Sequence, residues 1–250
     1  MRIIGRLDVK NGHLVKTINL EGLRQIGSCK DFALKYMREN IDEIFLSDPV
    51  ASLYDREPLF KLLDDITDDL FIPITISGGI KTIEHIRKLL LNGADKVAIN
   101  TAAISNPEFI NQAVSIFGSQ SIAISIQAKK INNNWHCFTN CGRDKSNKVL
   151  LDWLREVEKR GAGEIIITSV SKEGMMKGLD FELLHLVSEN VNLPITYSGG
   201  FGEINHLNPF KDVDINLSGL AISGSFHYEK VTVNQIREKL KELDLSVRSL

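Results

Sequence analysis

A nine-residue motif occurs twice in this chain, half a chain length apart. Residues 77–85 read Ser-Gly-Gly-Ile-Lys-Thr-Ile-Glu-His, and residues 198–206 read Ser-Gly-Gly-Phe-Gly-Glu-Ile-Asn-His, 121 positions later in a chain of 250 residues. Each copy follows an apolar run rich in β-branched residues and opens a helical pattern. The spacing therefore predicts a fold built by duplication of a half-sized unit.

Short β-branched runs alternate with longer amphipathic stretches along the chain, a pattern typical of parallel strands connected by helices. The amphipathic stretches include 82–91, 107–117, 150–160 and 181–190. Eight strands, each followed by a helix, predict an α/β fold of the (βα)₈ TIM barrel class with an internal half-barrel duplication. The predicted strands are 3–9, 43–47, 74–77, 96–100, 122–127, 164–169, 195–198 and 217–223.

No Pro/Ser-rich linker interrupts this pattern, so residues 1–250 are predicted to form a single barrel domain. The segment 132–148 is the exception, because it is polar and contains glycine around Trp135-His136-Cys137-Phe138-Thr139. We interpret it as a two-stranded excursion after the fifth strand.

Composition argues against several classes of function. A net charge of −2 provides no electrostatic surface for nucleic acid or an anionic membrane, so neither is expected as a partner. We found neither an apolar run of about 18 residues nor a signal-peptide pattern, and three cysteines suit a reducing compartment, so we predict a cytoplasmic protein. His136, Cys137 and Cys141 resemble metal ligands, but without a second ligand pair we interpret the thiols as buried and predict no metal and no cofactor.

Two glycine-rich strand ends are candidate phosphate sites, because Ser-Gly-Gly at the end of a strand leaves backbone N–H groups uncovered. The last two strands of such barrels frequently bind phosphate there. A single Gly-Gly is more often a tight turn, but two matched copies favour a ligand with a phosphate at each end. The first cradle comprises Ser77, Gly78, Gly79, Asn100 and Thr101, and the second comprises Ser198, Gly199, Gly200, Ser223 and Gly224.

The duplication also pairs Leu7-Asp8-Val9-Lys10 with Ile126-Gln127-Ala128-Lys129. The first and fifth strands end on opposite sides of the barrel mouth, where two carboxylates would supply a base and an acid for ring chemistry. Asp8 can serve as the base. Gln127 can hydrogen-bond an intermediate but cannot transfer a proton near neutral pH.

Further motifs are spread over nearly the whole chain. They are Leu7-Asp8-Val9-Lys10 with Val15-Lys16, residues 95–103 (Asp-Lys-Val-Ala-Ile-Asn-Thr-Ala-Ala), residues 117–120 (Phe-Gly-Ser-Gln) and residues 158–164 (Glu-Lys-Arg-Gly-Ala-Gly-Glu). Together they resemble the cyclase subunit of imidazole glycerol phosphate synthase, a lyase of histidine biosynthesis. The resemblance implies a (βα)₈ barrel that receives ammonia from a glutaminase docked on its N-terminal face. The ammonia then cleaves and cyclises a bis-phosphorylated small-molecule substrate at the other end.

The resemblance also assigns catalytic positions. The two catalytic aspartates of the family match Asp8 and Gln127, and its loop lysine matches Lys16. The family's Asp-x-Asp-Gly-Thr loop after the sixth strand reads Ser171-Lys172-Glu173-Gly174-Met175 here, and we assign Gly174 to phosphate binding.

Arg6 stands where the family carries a small residue. It lies two positions before Asp8 and should face the barrel interior with it. A buried guanidinium needs a partner, so we expect Arg6 to pair with Asp8 and to weaken that carboxylate as a base.

The opposite end of the barrel keeps the family's charges. The resemblance implies a ring that gates ammonia entry, here called the gate ring: Arg2, Glu43, Lys96 and Glu164. Glu43 and Glu164 are again 121 residues apart and each opens a strand. A single such charge is usually a solvated strand end, whereas four complementary charges favour a gate. Asp95 matches a family position that contacts the glutaminase.

Three functions fit these residues. The first is a divergent paralogue that accepts ammonia from a glutaminase and delivers it to another phosphorylated acceptor, as in acetamidino-sugar pathways of bacterial surfaces. The second is a genuine cyclase of histidine biosynthesis, with Asp8 and Lys16 acting alone or Glu173 supplying the second proton. The third is a non-catalytic scaffold that activates a glutaminase. The intact gate ring and the altered acid–base pair favour the first.

Overall fold

The computed structural model describes residues 1–213 and 215–248. Eight of the strands in these residues form a closed barrel. The strands are β1 (Arg2–Lys10), β2 (His13–Ile18), β3 (Glu21–Ser28), β4 (Glu43–Ser47), β5 (Ile74–Ser77), β6 (Lys96–Ile99), β7 (Ile122–Ile131), β8 (Asn134–Thr139), β9 (Asp144–Val149), β10 (Glu164–Ser169), β11 (Ile195–Ser198) and β12 (Gly219–Ile222).

The barrel is parallel, and its strand order is β1-β4-β5-β6-β7-β10-β11-β12, with β12 pairing back to β1. Eight strands joined in this way confirm the predicted (βα)₈ TIM barrel. β1 and β7 are four places apart around the ring, so their ends face each other across the mouth, as predicted.

Helices cover the outside of the barrel. The α-helices are α1 (Cys29–Arg38), α2 (Phe60–Thr67), α3 (Ile83–Leu91), α4 (Thr101–Ser105), α5 (Glu108–Phe117), α6 (Leu150–Lys159), α7 (Phe181–Ser188), α8 (Gly224–His227) and α9 (Val233–Glu242). Side-chain caps fix the starts of two helices: Thr82 Oγ1 accepts from the His85 N–H at 3.1 Å, and Thr232 caps α9 within a capping box. After β11 the expected helix is a 3₁₀ helix, Ile204–Lys211, which contains Pro209. Proline has no N–H for an α-helical bond.

Two antiparallel hairpins extend the barrel at its C-terminal mouth. The predicted excursion is confirmed as β8 and β9, but β7 runs on to residue 131 rather than ending at 127, because it pairs with β8. The β2–β3 hairpin after β1 was not predicted. The fourth predicted strand ends one residue early, since Asn100 caps α4, and the last is confined to Gly219–Ile222.

Apolar residues form two layers. The larger core lies between the sheet and the helices. A smaller cluster fills the barrel interior and consists of Ile4, Phe45, Ala98, Ala123, Ile166 and Ala221. Arg2, Ile4, Arg6 and Asp8 alternate along β1 toward this interior, so a single strand connects the gate ring to the C-terminal mouth.

Candidate active site

The two cradles lie at equivalent strand ends and share their backbone geometry. The first joins the ends of β5 and β6, and the second joins β11 and β12. Asn100 has φ −122° and ψ −83°, and its counterpart Ser223 has φ −123° and ψ −86°. The duplication predicted from the repeat therefore holds at the level of backbone dihedral angles.

Each cradle requires its glycines. Gly79 has φ +70° and Gly200 has φ +84°, values that L-residues rarely adopt. A Cβ atom on Gly79 would lie 2.6 Å from the Arg56 carbonyl oxygen, and one on Gly200 would lie 2.1 Å from the Gly178 carbonyl oxygen. No larger residue fits either position without moving the neighbouring backbone.

Both cradles border cavities. The first opens into a cavity of about 40 Å³ that Arg6 and Gln127 also line. The second borders a cavity of about 20 Å³, together with Lys16, Glu173 and Gly174. The residues predicted for each cradle therefore meet in space, and the two cavities share no lining residue.

Asp8 lies near the C-terminal end of β1 and is 0% exposed. Its Oδ1 atom accepts a hydrogen bond from Arg6 Nε at 3.0 Å, which confirms the expected pair. Its Oδ2 atom has no hydrogen-bond partner within the described residues. A buried carboxylate oxygen without a donor is costly, and a ligand N–H or O–H group would satisfy it.

The Arg6 guanidinium contacts three side chains. Besides Asp8, its Nη1 atom donates to Ser198 Oγ at 2.9 Å and lies 3.4 Å from Glu173 Oε2. Burial disfavours the charge, but attraction to Asp8 and Glu173 outweighs it and raises the pKa of Arg6. The guanidinium therefore stays charged inside the barrel.

Glu173 is the second buried anion of the mouth. Its Oε1 atom accepts from Lys16 Nζ at 2.9 Å, and Lys16 also donates to Ser223 Oγ at 3.2 Å. Burial alone would raise the pKa of Glu173, but Lys16 and Arg6 outweigh burial and lower it to about 2. Glu173 is therefore a carboxylate at neutral pH and has no proton to donate.

Gln127 faces Asp8 from the far side of the barrel and is tied to the β8–β9 turn. Its Oε1 atom accepts from the Gly142 N–H at 2.7 Å. Asn140, Cys141 and Gly142 in this turn all have positive φ, between +50° and +71°. The amide therefore anchors a strained turn, and its position offers a hydrogen bond but no proton transfer.

A small apolar cluster, here called the lid cluster, lies at the mouth: Leu20, Val50, Cys141 and Val170. Each residue comes from a different loop, and Cys141 Sγ donates to the Leu20 carbonyl oxygen at 3.2 Å. Burial raises the pKa of the Cys141 thiol to about 12, so it stays protonated. No sequence pattern marks this cluster, because its members share neither a periodicity nor a segment.

A buried chain of hydrogen bonds extends from Lys16 to the helix layer. Ser223 Oγ lies 3.0 Å from His227 Nε2, and His227 Nδ1 lies 2.5 Å from the Tyr36 hydroxyl. Burial, with nearby Lys16, lowers the pKa of His227 to about 3, so the imidazole is neutral. Sequence reasoning missed His227, although its four-residue spacing from Ser223 places both on one helix face.

The four gate ring residues meet at the opposite end as predicted. Arg2 pairs with both Glu43 and Glu164. Lys96 Nζ lies 2.5 Å from Glu164 Oε2 and 3.4 Å from Glu43 Oε1. The cations and anions therefore alternate around a closed ring.

The duplication is repeated within this ring. Thr75 Oγ1 donates to Glu43 Oε1 at 2.6 Å, and Thr196 Oγ1 donates to Glu164 Oε1 at the same distance. Burial would raise the pKa of Glu164, but Lys96 and Arg2 lower it, so the carboxylate stays charged. Each half-barrel thus contributes a Thr–Glu pair to the ring.

The N-terminal face beside the ring carries exposed apolar residues. Phe71 is 82% exposed and Leu91 is 80% exposed. Phe71 and Asp95 line one shallow groove, and Asp95 Oδ2 accepts from the Ile74 N–H at 2.8 Å. Asp95 therefore fixes the start of β5 while it remains exposed on this face.

Two of the candidate metal ligands, Cys137 and Cys141, are buried as expected. Burial raises the pKa of the Cys137 thiol to about 12. Within residues 1–213 and 215–248 there is no group of three or more His, Cys, Asp or Glu side chains placed to hold a metal ion. In the same residues, every helix is too short or too polar to span a bilayer.

Comparison with known proteins identifies close relatives. A family model described as histidine biosynthesis protein matches residues 2–232, which include every barrel strand. The chain is 44% identical to the imidazole glycerol phosphate synthase subunit HisF of Legionella pneumophila over 83% of this chain and 99% of that protein. It is 40% identical to the subunits of the same name from Dictyoglomus thermophilum and Staphylococcus saprophyticus, over 99% of this chain and 98% of each relative.

Proposed function

The chain belongs to the histidine biosynthesis protein family, as a HisF-like cyclase subunit of imidazole glycerol phosphate synthase, and from that premise we propose a divergent activity. It takes ammonia from a glutaminase docked on the N-terminal face and transfers it to a phosphorylated acceptor at the C-terminal mouth. The acceptor differs from the bis-phosphorylated substrate of the histidine pathway. The surface-sugar acceptor that the resemblance suggests is one candidate.

The gate ring and the layer above it support the ammonia route. Arg2, Glu43, Lys96 and Glu164 close the bottom of the barrel with paired charges. The next layer is apolar and includes three alanines, Ala98, Ala123 and Ala221. An apolar interior lined by small side chains favours passage of neutral ammonia over ammonium, because a bare cation is costly there.

The N-terminal face supports a glutaminase partner. Phe71 and Leu91 expose large apolar side chains on this face, and Asp95 lies in the same groove as Phe71. Exposed apolar residues rimmed by polar groups are typical of protein interfaces. The face therefore offers a docking surface around the gate ring.

The proposed change of acceptor rests mainly on the Gln127 amide and its hydrogen bond. Its amide oxygen accepts from the Gly142 N–H, and an amide exchanges no proton near neutral pH. Asp8, across the mouth, is buried and bonded to Arg6. Loss of one general acid or base costs about 10²–10⁴-fold in rate, which argues against ring formation through an acid–base pair at these positions.

A genuine histidine-pathway cyclase is the alternative. Such a cyclase would use Lys16 and Asp8, which are present, but a group other than Gln127 would have to transfer the second proton. Glu173 does not supply it, because its pKa of about 2 keeps it ionised. A non-catalytic scaffold is less well supported, since it has no use for two strained glycine cradles.

A direct assay tests the proposal. The purified barrel is supplied with ammonium chloride and the bis-phosphorylated substrate of the histidine pathway, and imidazole formation is followed. We expect no turnover by the wild type and a gain of about 10²–10⁴-fold above background in Gln127→Asp. Gln127→Asn, which keeps an amide of the same length as the aspartate, should stay inactive.

Wild-type turnover of about 1 s⁻¹ or more, an ordinary enzyme rate, would refute the altered acceptor and favour the histidine-pathway cyclase. Equal activity of the Asp and Asn variants would show that proton transfer at this position is irrelevant. The assay needs no glutaminase, so a weak partner interface cannot obscure its result.

A further inference from the structure

The two cradles share a backbone but differ in the charges around them. Two buried cations, Lys16 and Arg6, contact the serine hydroxyls of the second cradle at 3.2 Å and 2.9 Å. Both cations are also bonded to Glu173, and Arg6 is bonded to Asp8 as well. Two positive and two negative side chains thus cancel, so no net positive charge remains for a ligand there.

The serine hydroxyls of the second cradle are already engaged. Ser198 Oγ accepts from Arg6, and Ser223 Oγ contacts Lys16 and His227. The space over Gly224 is also covered, because a Cβ atom there would lie 3.3 Å from both Lys16 Cε and Met176 Sδ. A phosphate entering this cradle would have to displace these contacts and approach the Glu173 carboxylate.

A buried carboxylate, Asp48, also lines the cavity of the first cradle, but its bonds lie outside the cradle. Asp48 Oδ1 accepts from Arg56 Nη2 at 2.9 Å and from the Val50 N–H at 3.1 Å, and neither group belongs to the cradle. Asn100 Oδ1 has no hydrogen-bond partner among the described residues, and as an acceptor it suits a ligand hydroxyl group rather than a phosphate oxygen. In the part of the chain that the structure describes, no charged side chain is hydrogen-bonded to the Ser77 or Thr101 hydroxyl, and Thr101 Oγ1 accepts only from the Asn140 N–H. The hydroxyls of the first cradle are therefore not tied to buried cations as those of the second are.

We propose that Glu173 is a specificity-determining residue that replaces a second ligand phosphate at the second cradle. The acceptor is then phosphorylated at one end only, and that end is held by the first cradle. This inference rests on the proposed function, because it concerns the acceptor of the same site. It replaces the ligand with two phosphates that the repeated sequence motif suggests.

The number of anion sites can be counted with inorganic phosphate as the probe. Protein labelled with ¹⁵N is titrated with phosphate, and the amide signals of Gly79 and Thr101 report on the first cradle. The signals of Gly200 and Gly224 report on the second. In the wild type we expect a saturable response at the first cradle and a response at the second that needs at least tenfold more phosphate.

Glu173→Gln removes the internal anion and leaves Lys16 and Arg6 available. We expect its second cradle to bind phosphate within about threefold of the first. The matched control is Glu57→Gln, an exposed carboxylate that follows Arg56 beside the first cradle. It also removes one negative charge, and we expect the amide signals of the second cradle to remain unresponsive to phosphate.

Equal phosphate affinities of the two cradles in the wild type would overturn the proposal, as would no response at the first cradle. A folded Glu173→Gln variant with a silent second cradle would overturn it too. The wild-type titration decides the question even if that variant fails to fold. Imidazole formation by the wild type would instead refute the proposed function, and the titration counts anion sites whatever reaction follows.

Discussion

Arg6 and Asp8 form a buried ion pair on one strand, with Nε 3.0 Å from Oδ1. The pair lies on β1 between the apolar layer of the barrel and the open mouth. Because Arg6 also reaches Ser198 and Glu173, one guanidinium links Asp8 to the second cradle. The two buried carboxylates of this mouth, Asp8 and Glu173, are therefore joined through the Arg6 guanidinium.

Replacement of Arg6 should destabilise the protein strongly. In Arg6→Met the carboxylates of Asp8 and Glu173 lose their shared cation while buried, which costs about 3–5 kcal/mol in comparable pairs. Urea denaturation measures the free energy of unfolding. Arg87→Met, which breaks an exposed pair with Glu84, should cost less than about 1 kcal/mol. A cost below about 1 kcal/mol for Arg6→Met would contradict the buried network.

Truncation of Gln127 should loosen the β8–β9 turn. In Gln127→Ala the Gly142 N–H loses its acceptor, at a cost of about 1–3 kcal/mol. Hydrogen exchange of the Gly142 amide should therefore accelerate at least about fivefold, because opening of the turn becomes easier. Gln112→Ala, on the exposed side of α5, is the control and should leave this amide unchanged. Unchanged exchange in Gln127→Ala would show that the turn holds without the amide.

Stability should depend on pH through His227. Its pKa is about 3 in the folded protein and about 6.5 in the unfolded chain, so the unfolded chain binds more protons between these values. The contribution of His227 to stability is complete above about pH 6.5 and is lost as the pH falls toward 3, with a slope of up to about 1.4 kcal/mol per pH unit. Thermal or urea denaturation at several pH values measures this slope.

His227→Gln should flatten that slope between about pH 6.5 and 4.5, where few carboxylates titrate. Tyr36→Phe removes the hydroxyl that contacts His227 but keeps the imidazole. It should lower stability by about 1 kcal/mol at every pH and preserve the slope. An unchanged slope in His227→Gln would assign the pH dependence to other groups.

Lys96 should interact more strongly with one glutamate of the gate ring than with the other. Lys96 lies 2.5 Å from a Glu164 oxygen but 3.4 Å from a Glu43 oxygen. A double-mutant cycle of Lys96→Met with Glu164→Gln should therefore give a larger interaction energy, about 2 kcal/mol, than a cycle with Glu43→Gln. Lys159→Met on the exposed side of α6 should give none with either. Equal coupling to both glutamates would contradict this geometry.

Docking of a glutaminase should depend on Phe71. Burial of an exposed phenylalanine side chain contributes about 1.5–3 kcal/mol, so Phe71→Ser should weaken binding of the HisH-type glutaminase of the same organism at least about tenfold. Isothermal titration calorimetry measures the affinity. Tyr54→Ser, at an exposed aromatic residue on the opposite face, is the control. An unaffected Kd in Phe71→Ser would place the interface elsewhere.

Much of this fold could be predicted because the duplication repeats in sequence. The Ser-Gly-Gly copies and the alternation of strands and helices sufficed to predict the barrel. The 121-residue spacing of Glu43 and Glu164 supported the charged ring that the resemblance to the family implies. Asn11-Gly12, which joins β1 to β2, is a strong hairpin signal, and both residues have positive φ. The β2–β3 turn gives no such signal, because it consists of Asn19 and Leu20, and leucine rarely adopts the positive φ that it has here.

Strand periodicity and glycine turns are local properties, so the barrel architecture and the two cradles can be predicted from the sequence alone. The members of the gate ring follow instead from the resemblance to the family, supported by the 121-residue spacing of Glu43 and Glu164. The folded barrel was needed to show that Glu173 bonds Lys16 and Arg6, residues more than 150 positions away along the chain, and that Gln127 anchors the β8–β9 turn. Barrel closure brings these side chains together, and pairing across a closed sheet leaves no periodic trace in the sequence. The repeat therefore predicted two equivalent cradles, whereas the buried charges make them different.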